Sequence, residues 1–328
     1  MKALITGISG FAGSHLAEYL LSRGDVEVIG TFRSPGRLES LGTLLQNAQL
    51  VNCELTDAES VNRLIRQTQP DLIFHLAAQS FVPTSLHSPA DTLVNNLVGQ
   101  LNMLEAVRHL EVDCKIQIAC SSEEYGMVYP NETPIKESNP FRPLNPYAVS
   151  KIAQDFLGYQ YHQSYGLNIV RTRAFHHTGP RREECYVTSN FAKQIALIEE
   201  GLQSPNVYVG NLSAIRDFTD VRDIVRAYWL SLESGVPGEV YNISSGTSIT
   251  IEEMLQTLLS KANVHVDIHV DQKRLRPSDV DIVLGDSSLF RSVTGWAPEI
   301  SFEQSMEDLL NYWRGVIQQQ KLAGGDRG

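Results

Sequence analysis

The chain has 328 residues, of which 42% are hydrophobic and 20% charged, and its formal net charge is −11. This length suits two closely joined domains, and the acidity argues against a nucleic-acid partner. With a strand directly after Met1, no long apolar run and four cysteines without metal-site spacing, we expect a cytoplasmic protein with no signal peptide, no membrane span and no metal ion.

Strands and helices alternate through the first half of the chain. The sequence predicts strands at Ala3–Ile5, Val26–Gly30, Leu50–Val51, Asp71–Leu76, Ile116–Cys120 and Leu167–Val170. It predicts helices over Gly10–Leu21, Val61–Gln67, Asn96–Leu110 and Pro146–Gln163. Such alternation is typical of a parallel sheet covered by helices on both faces. We therefore predict an α/β fold with a doubly wound parallel sheet of the Rossmann type.

The alternation of strands and helices is less regular in the second half of the chain. Predicted helices are Ser189–Glu200, Val221–Leu232, Ile251–Ala262 and Phe302–Gln318, and predicted strands are Val207–Val209 and Val264–Val270. We expect a dinucleotide-binding domain at residues 1–172, to which residues 210–245 partly return. Residues 173–328 are expected to form a smaller substrate-binding lobe over the carboxyl edge of the sheet, where doubly wound folds bind their ligands.

A glycine-rich turn joins the first strand to the first helix. Gly7, Gly10 and Gly13 have the spacing GxxGxxG. The first glycine permits a tight turn, the second lets the backbone approach a pyrophosphate, and the third allows close helix–strand packing. Together with Phe11 and Ala12 they offer the phosphates the free N–H groups of a helix N-terminus, which predicts a dinucleotide site.

The residues after the second strand indicate which dinucleotide is preferred. An enzyme that uses NAD usually places an acidic residue there for the ribose 2′-hydroxyl. This chain has Arg33 and Ser34 instead, and both side chains can donate to a 2′-phosphate. NADP is therefore favoured over NAD. The alternative is that Arg33 is a solvated loop charge.

A tyrosine and a lysine stand four residues apart on the predicted helix Pro146–Gln163. Tyr147 and Lys151 therefore share one helix face. An ammonium group beside a phenol stabilises the phenolate and is expected to lower the pKa of Tyr147. This pair predicts proton transfer in alcohol–ketone chemistry.

Polar residues follow the strand that precedes this helix. Ser121 stands at its carboxyl end, where its hydroxyl can bond to the reacting oxygen of a substrate. Glu123 can serve as a base toward a carbon-bound proton, or it can be a loop carboxylate that pairs locally. Glu124 is interpreted as structural.

With these motifs in order, the chain resembles the extended short-chain dehydrogenase/reductase family over essentially its whole length. The motifs that carry the resemblance are the glycine turn, His75–Ala78, Ser121–Ser122 and the Tyr147–Lys151 pair. More narrowly, the chain is similar to the branch of GDP-mannose 4,6-dehydratases and GDP-6-deoxy-D-mannose reductases. That similarity is carried by the runs Leu76–Ser80, Phe175–Arg182, Gly210–Asp217 and Arg276–Val280.

The resemblance implies further site positions. Those implied for the cofactor are Glu54 and Leu55 beside the adenine, then Leu76, Ala77, Ala78, Gln79, Ser80, His177 and Arg182. Those implied for the substrate are Ser80, Ser121, Glu123, His176, Arg216, Arg276 and Asp279. Arg216 and Arg276 would clamp the diphosphate of a GDP-sugar, although on the sequence alone surface salt bridges, for example between Arg216 and Asp217, are the favoured interpretation. A homodimer or homotetramer is also implied.

Two reactions remain open around Tyr147 and Lys151. We favour the conversion of GDP-mannose to GDP-4-keto-6-deoxy-mannose and water, with Glu123 as the carbon base. The alternative is 4-reduction of GDP-4-keto-6-deoxy-mannose to GDP-rhamnose, which the run Asp217–Asp223 resembles more closely. His176 stands where both activities have asparagine. Another NDP-sugar epimerase and a non-catalytic NADP-binding protein are further alternatives.

Overall fold

The computed structural model describes residues 1–34, 46–274 and 280–325. Its strands in chain order are β1 (Lys2–Thr6), β2 (Glu27–Phe32), β3 (Gln49–Asn52), β4 (Leu72–His75), β5 (Lys115–Ser121), β6 (Asn168–Ala174), β7 (His176–Thr178), β8 (Asn206–Val209), β9 (Ile215–Asp220), β10 (Val240–Ile243), β11 (Ser248–Thr250), β12 (Asp267–Val270) and β13 (Ile282–Val283). Its helices are α1 (Phe11–Arg23), α2 (Ala58–Thr68), α3 (Val82–His87), α4 (Pro89–Leu93), α5 (Gly99–His109), α6 (Pro146–Tyr165), α7 (Val187–Glu199), α8 (Val221–Ser234), α9 (Ile251–Ser260), α10 (Ser288–Thr294) and α11 (Phe302–Gly325).

The large sheet has seven strands in the order β10-β6-β5-β4-β1-β2-β3. Every neighbouring pair in it is parallel. The order reverses on either side of β1, where Ile5 aligns with Gly30 of β2 and with Phe74 of β4. Because all carboxyl ends of these strands meet at one edge, the loops that follow β1, β4 and β5 converge there. The predicted doubly wound fold is confirmed.

Helices cover both faces of this sheet. Leu16 of α1 and Ile224 of α8 belong to one apolar cluster, and Val61 of α2 and Leu104 of α5 belong to another on the opposite face. The alternating chain therefore forms two cores, since each parallel strand must bury both of its faces. Strand β10 adds a seventh member to the sheet after the chain has passed through α8.

A second group of elements has its own apolar core. Helices α7, α9 and α11 enclose a cluster that includes Phe191, Leu255 and Leu310. Two smaller sheets accompany them: β12 pairs with β8, and β9 pairs with β7, β11 and β13. Strand β9 thus connects β7, which follows β6 directly, to the second core.

Two of the predicted elements form differently from the sequence prediction. A π-helical turn at Val94–Val98 precedes α5, and the buried Asn96 in it is bonded to the segment after β4. The alternation at Val264–Val270 predicted a strand of that whole length. The observed strand β12 is shorter, Asp267–Val270, because β8 has only four residues with which it can pair. In the described ranges no helix is both long and apolar enough to cross a membrane.

Candidate active site

The glycine turn between β1 and α1 is tightly folded. Gly7 has a φ of 75°, in the left-handed region, and Gly10 N–H donates to its carbonyl oxygen at 3.0 Å. A Cβ atom on Gly13 would lie 2.2 Å from the same oxygen. Gly10 caps α1 without a side chain, so the first N–H groups of the helix remain for a ligand. These features fit a pyrophosphate of a dinucleotide.

Gly13→Ala is expected to abolish measurable NADP binding. The added methyl group would collide with backbone atoms of Gly7 and Ile8, which can move only if the turn opens. Gly315→Ala in α11 is the control, because a Cβ there meets no atom within 4 Å. The control should bind NADP normally and gain roughly 0.5–1 kcal/mol of stability. Calorimetric titration and thermal unfolding measure both effects, and normal NADP binding by Gly13→Ala would contradict this interpretation of the turn.

An arginine covers the start of α1. The guanidinium carbon of Arg182 lies 4.7 Å from the ring centroid of Phe11 and 3.4 Å from that of Tyr186. No carboxylate in the part of the chain that the structure describes lies within ion-pair distance of it. Burial lowers the pKa of Arg182, so its charge is poorly solvated and favours a bound anion. The position of the Arg182 guanidinium beside the glycine turn is therefore also suited to bind a dinucleotide phosphate.

His177 also packs against Phe11. The two rings are stacked with centroids 5.9 Å apart, and the Nδ1 atom of His177 lies 3.0 Å from the carbonyl oxygen of Phe175. Burial and the nearby charge of Arg182 lower the pKa of His177 to about 4. His177 is therefore neutral at physiological pH and contributes packing rather than charge to this position.

The residues predicted for the adenosine end lie beyond β2 and β3. Arg33 is exposed, and its Nη1 atom is 3.5 Å from Oδ1 of Asn95. Ser34 follows it and is also exposed. The Glu54 carboxylate accepts hydrogen bonds from the backbone N–H and the hydroxyl of Thr56, and these bonds stabilise the local turn that contains both residues. Leu55 packs against Gly99.

The segment Leu76–Ser80 runs beside the glycine turn. The hydroxyl of Thr6 accepts from Leu76 N–H at 3.1 Å and from Ala77 N–H at 3.2 Å. Gln79 N–H donates to the side chain of Asn96 at 2.7 Å. Ala78 lies between these anchored positions, half-buried like its neighbours. Hydrogen bonds near both ends of the segment Leu76–Ser80 therefore hold its backbone at the carboxyl edge of the large sheet, where the cofactor is predicted to bind.

Helix α6 presents the tyrosine and the lysine. It begins after Asn145, whose side chain accepts from Ala148 N–H at 2.8 Å, and has Pro146 in its first turn. Tyr147 and Lys151 are both buried on the face toward β5. The Lys151 ammonium donates to the Ala119 carbonyl at 2.8 Å and lies 5.9 Å from the centroid of the Tyr147 ring.

The direction of the Tyr147 pKa shift differs from the prediction. Burial raises the pKa of Tyr147, and a hydrogen bond with the Ser121 side chain acts in the opposite direction. Lys151 does not compensate, because its ammonium is held by a carbonyl of β5 and its own pKa is lowered by burial. The prediction that Lys151 lowers the pKa of the phenol is thus wrong in its direction, because burial of Tyr147 raises that pKa.

Ser121 and Glu123 share a short helical turn at the end of β5. The Ser121 hydroxyl accepts from Glu123 N–H at 3.2 Å. The Glu123 carboxylate accepts from the Asn145 side chain at 3.1 Å and is half-buried. Asn145 thereby connects this turn to the start of α6. The structure brings Ser121, Glu123, Tyr147 and Lys151 together at one place.

The predicted substrate residues of the second half lie on or near β9. His176 of β7 packs edge-on against Phe218, with ring centroids 5.8 Å apart. The Arg216 guanidinium donates to the carbonyl of Val280 at 2.7 Å. The neighbouring Asp217 accepts from the Ser245 and Gly246 N–H groups. Arg276 and Asp279 lie outside the described residues.

Several contacts that support the site were not predicted from the sequence. The Tyr186 hydroxyl lies 3.2 Å from the hydroxyl of Ser80, across the two parts of the chain. Buried Asp155, on α6, lies behind Lys151 and pairs with Arg173. Asn145 had a signal, since asparagine before proline is typical of a helix start. Asp155 could have been found from its position one helical turn after Lys151.

Known proteins match this chain along its whole length. Residues 4–309 match the family described as GDP-mannose 4,6 dehydratase. The chain is 33% identical over 319 residues to the GDP-6-deoxy-D-mannose reductase of Pseudomonas aeruginosa, covering 97% of this chain and 99% of that protein. It is 33% identical over 359 residues to the GDP-mannose 4,6-dehydratase of Yersinia enterocolitica, covering 98% and 95%. A structure of RMD from Pseudomonas aeruginosa complexed with NADPH superposes with a TM-score of 0.84 at 33% identity, covering 96% of this chain and 99% of that one.

Proposed function

Because the chain belongs to the GDP-mannose 4,6-dehydratase family of NAD(P)-binding short-chain dehydrogenases/reductases, we propose that it dehydrates GDP-mannose to GDP-4-keto-6-deoxy-mannose with NADP as cofactor. The observation that carries the proposal is the Glu123 carboxylate, placed beside Ser121 and joined through Asn145 to the helix of Tyr147. A simple ketone reductase needs a proton donor, whereas a dehydratase also needs a base for a carbon-bound proton.

Each residue has a distinct task in this reaction. Ser121 bonds to the C4 oxygen of the hexose, and Tyr147 accepts the C4 hydroxyl proton as the carbonyl forms. Glu123 removes the C5 proton, which the new C4 carbonyl makes acidic, and passes it to the departing C6 hydroxyl. The proton that Tyr147 took from the C4 hydroxyl is then delivered to C5. A bound nicotinamide would supply the hydride acceptor for C4 and the hydride donor for C6, which would make the reaction redox-neutral overall.

Tyr147 must be ionised to accept the C4 hydroxyl proton, and the positive charge of a bound oxidised nicotinamide would favour that form. Residues 173–328 are proposed to hold the nucleotide diphosphate through Arg216 and Arg276, with Asp279 on the ribose and His176 near the hexose.

Reduction of GDP-4-keto-6-deoxy-mannose is the second candidate. It is favoured by the match of equal identity to the Pseudomonas aeruginosa reductase over nearly all of both chains. It would use Ser121, Tyr147 and Lys151 in the same way, with Tyr147 as the proton donor to the C4 oxygen.

One incubation separates the two candidates. The purified enzyme is given GDP-mannose without added cofactor, and the product is analysed by mass spectrometry and by trapping of a 4-ketone. A product that has lost one water molecule supports the dehydratase. The proposal is wrong if no such product forms while NADPH is consumed in the presence of GDP-4-keto-6-deoxy-mannose.

The preference for NADP is proposed to depend on Arg33. We expect Arg33→Ala to weaken NADP binding by about 10- to 100-fold, because a charge-assisted contact with a phosphate is lost. NAD binding should hardly change. Arg23→Ala is the control, since Arg23 is a partly exposed arginine next to Asp25 at the far end of α1. Titration with both dinucleotides measures the effect, and an equal loss of affinity for both would contradict the role of Arg33.

A further inference from the structure

Two buried carboxyl groups lie behind the candidate active site. Glu124 ends the turn that carries Ser121 and Glu123, and Asp155 belongs to the helix that carries Tyr147 and Lys151. Both side chains are fully buried. Their carboxylate oxygens and the Cys120 thiol lie within 4.8 Å of one another.

Glu124 is attached to the turn and to β6. Its Oε1 atom accepts from Ser121 N–H at 2.9 Å, which closes the turn at the end of β5. Its Oε2 atom lies 3.2 Å from Nε of Arg173. The backbone of Ser121 is therefore held by a carboxyl group that itself has no access to solvent.

Asp155 is the corresponding anchor on α6. It follows Lys151 by one turn and Tyr147 by two turns, so the three side chains share one helix face. Its Oδ2 atom accepts from Nε of Arg173 at 2.7 Å, and its other oxygen pairs with Arg171. The same guanidinium of Arg173 thus contacts both Asp155 and Glu124.

The buried surroundings of the two carboxyl groups disfavour the ionisation of both at the same time. Oε2 of Glu124 is buried and accepts no hydrogen bond, and a carboxylate oxygen of Glu124 lies within 4.8 Å of one of Asp155. Burial, followed by the proximity of Asp155, raises the pKa of Glu124 well above its usual range. A proton on Glu124 would remove the repulsion and provide a donor to the neighbouring carboxylate.

We propose that Glu124 and Asp155 share one proton and act as a positioning pair, which holds the turn of Ser121 and Glu123 in register with the helix of Tyr147 and Lys151. The pair touches neither substrate nor cofactor. Its effect on turnover comes from the relative placement of the reacting groups, because a displacement of about 1 Å can cost roughly a hundredfold in rate. The proposal rests on the assignment of Ser121 and Tyr147 to the reaction, whether that reaction is dehydration or reduction.

Two substitutions at Glu124 test the positioning role. Glu124→Gln keeps the acceptor for Ser121 N–H and supplies a neutral donor for Asp155, so kcat should stay within about threefold of the parent. Glu124→Leu removes both bonds, and kcat should fall by about a hundredfold with KM for the sugar nucleotide and NADP affinity little changed. Asp223→Asn is the control, since Asp223 is a buried carboxylate that accepts from Glu299 and Ile300 N–H groups away from the site. It should lower the unfolding temperature and leave kcat unchanged.

Infrared spectroscopy tests the shared proton independently of turnover. The unmodified protein should show the carbonyl stretch of a protonated carboxyl group at neutral pH. This band should be missing from the spectrum of the Glu124→Gln variant. Rescue by Gln, damage by Leu and loss of the band together support the proposal. It is overturned if the band is unchanged in Glu124→Gln, if Gln is as damaging as Leu, or if Leu retains the parent kcat. If Glu124→Leu does not fold, the infrared comparison and the Gln variant still decide. If the unmodified protein turns over neither sugar nucleotide, the proposed function is contradicted instead. The infrared result would still test the shared proton.

Discussion

Tyr147→Phe is expected to lower kcat by about a thousandfold, whichever of the two reactions the enzyme performs. The substitution removes only the hydroxyl that exchanges a proton with the C4 oxygen. Because the aromatic ring and its burial remain, the fold and NADP affinity should be retained. Single-turnover and steady-state rates with the preferred sugar nucleotide measure the effect, and NADP titration shows that the site is intact.

A second tyrosine on the same helix provides the matched control. Tyr161 is also buried, and its hydroxyl donates to Glu105 at 2.5 Å, at the opposite end of α6 from the site. Tyr161→Phe should cost about 1–3 kcal/mol of stability through the lost bond to a carboxylate and leave kcat unchanged. Equal kcat losses in the two variants would show that Tyr147 acts through helix packing and not through proton transfer.

Glu123→Gln is expected to reduce dehydration of GDP-mannose by about 10²- to 10⁴-fold. Glutamine has the same shape and can still accept from the Asn145 side chain, which contacts the carboxylate at 3.1 Å. It cannot take a proton from C5. Reduction of GDP-4-keto-6-deoxy-mannose, if the enzyme supports it, needs no carbon base and should change by less than about tenfold. Both rates are measured on one preparation.

Another glutamate in the same connection serves as the control for this variant. Glu132 pairs with Arg142 at 2.8 Å and lies in the segment between β5 and α6. Glu132→Gln should leave both rates unchanged. If Glu123→Gln impairs dehydration and reduction equally, the carboxylate organises the site and is not the carbon base. Unchanged dehydration would mean that a different residue removes the C5 proton.

Local patterns were sufficient to predict the fold and the cofactor turn. Strand–helix alternation implies a parallel sheet because parallel neighbours require crossover connections. The glycines of the first turn were predictable for a similar reason, since a left-handed φ at Gly7 and the absence of space for a Cβ at Gly13 are local requirements. Tyr147 and Lys151 were predictable because helix periodicity alone places them on one face.

Charge states and long-range partners were less accessible. The sequence suggested that Lys151 lowers the pKa of Tyr147, but the degree of burial decides the direction of the shift. Glu124 was interpreted as structural, yet nothing in its neighbours along the chain indicated Arg173 as its ion-pair partner. Arg182 was assigned to the cofactor site by resemblance, whereas its aromatic neighbours Phe11 and Tyr186 emerge only in the folded chain.

The sequence by itself determined the doubly wound sheet, the glycine turn and the Tyr147–Lys151 pair, because each leaves a local pattern in the chain: strand–helix alternation, glycine spacing and helix periodicity. Only the tertiary structure decided what surrounds that pair. It joins Glu123 to Asn145 and places Glu124 against Asp155. Both contacts join the β5 end to the region of α6 across more than twenty residues of chain, and their strength depends on the exclusion of water, which no local pattern encodes.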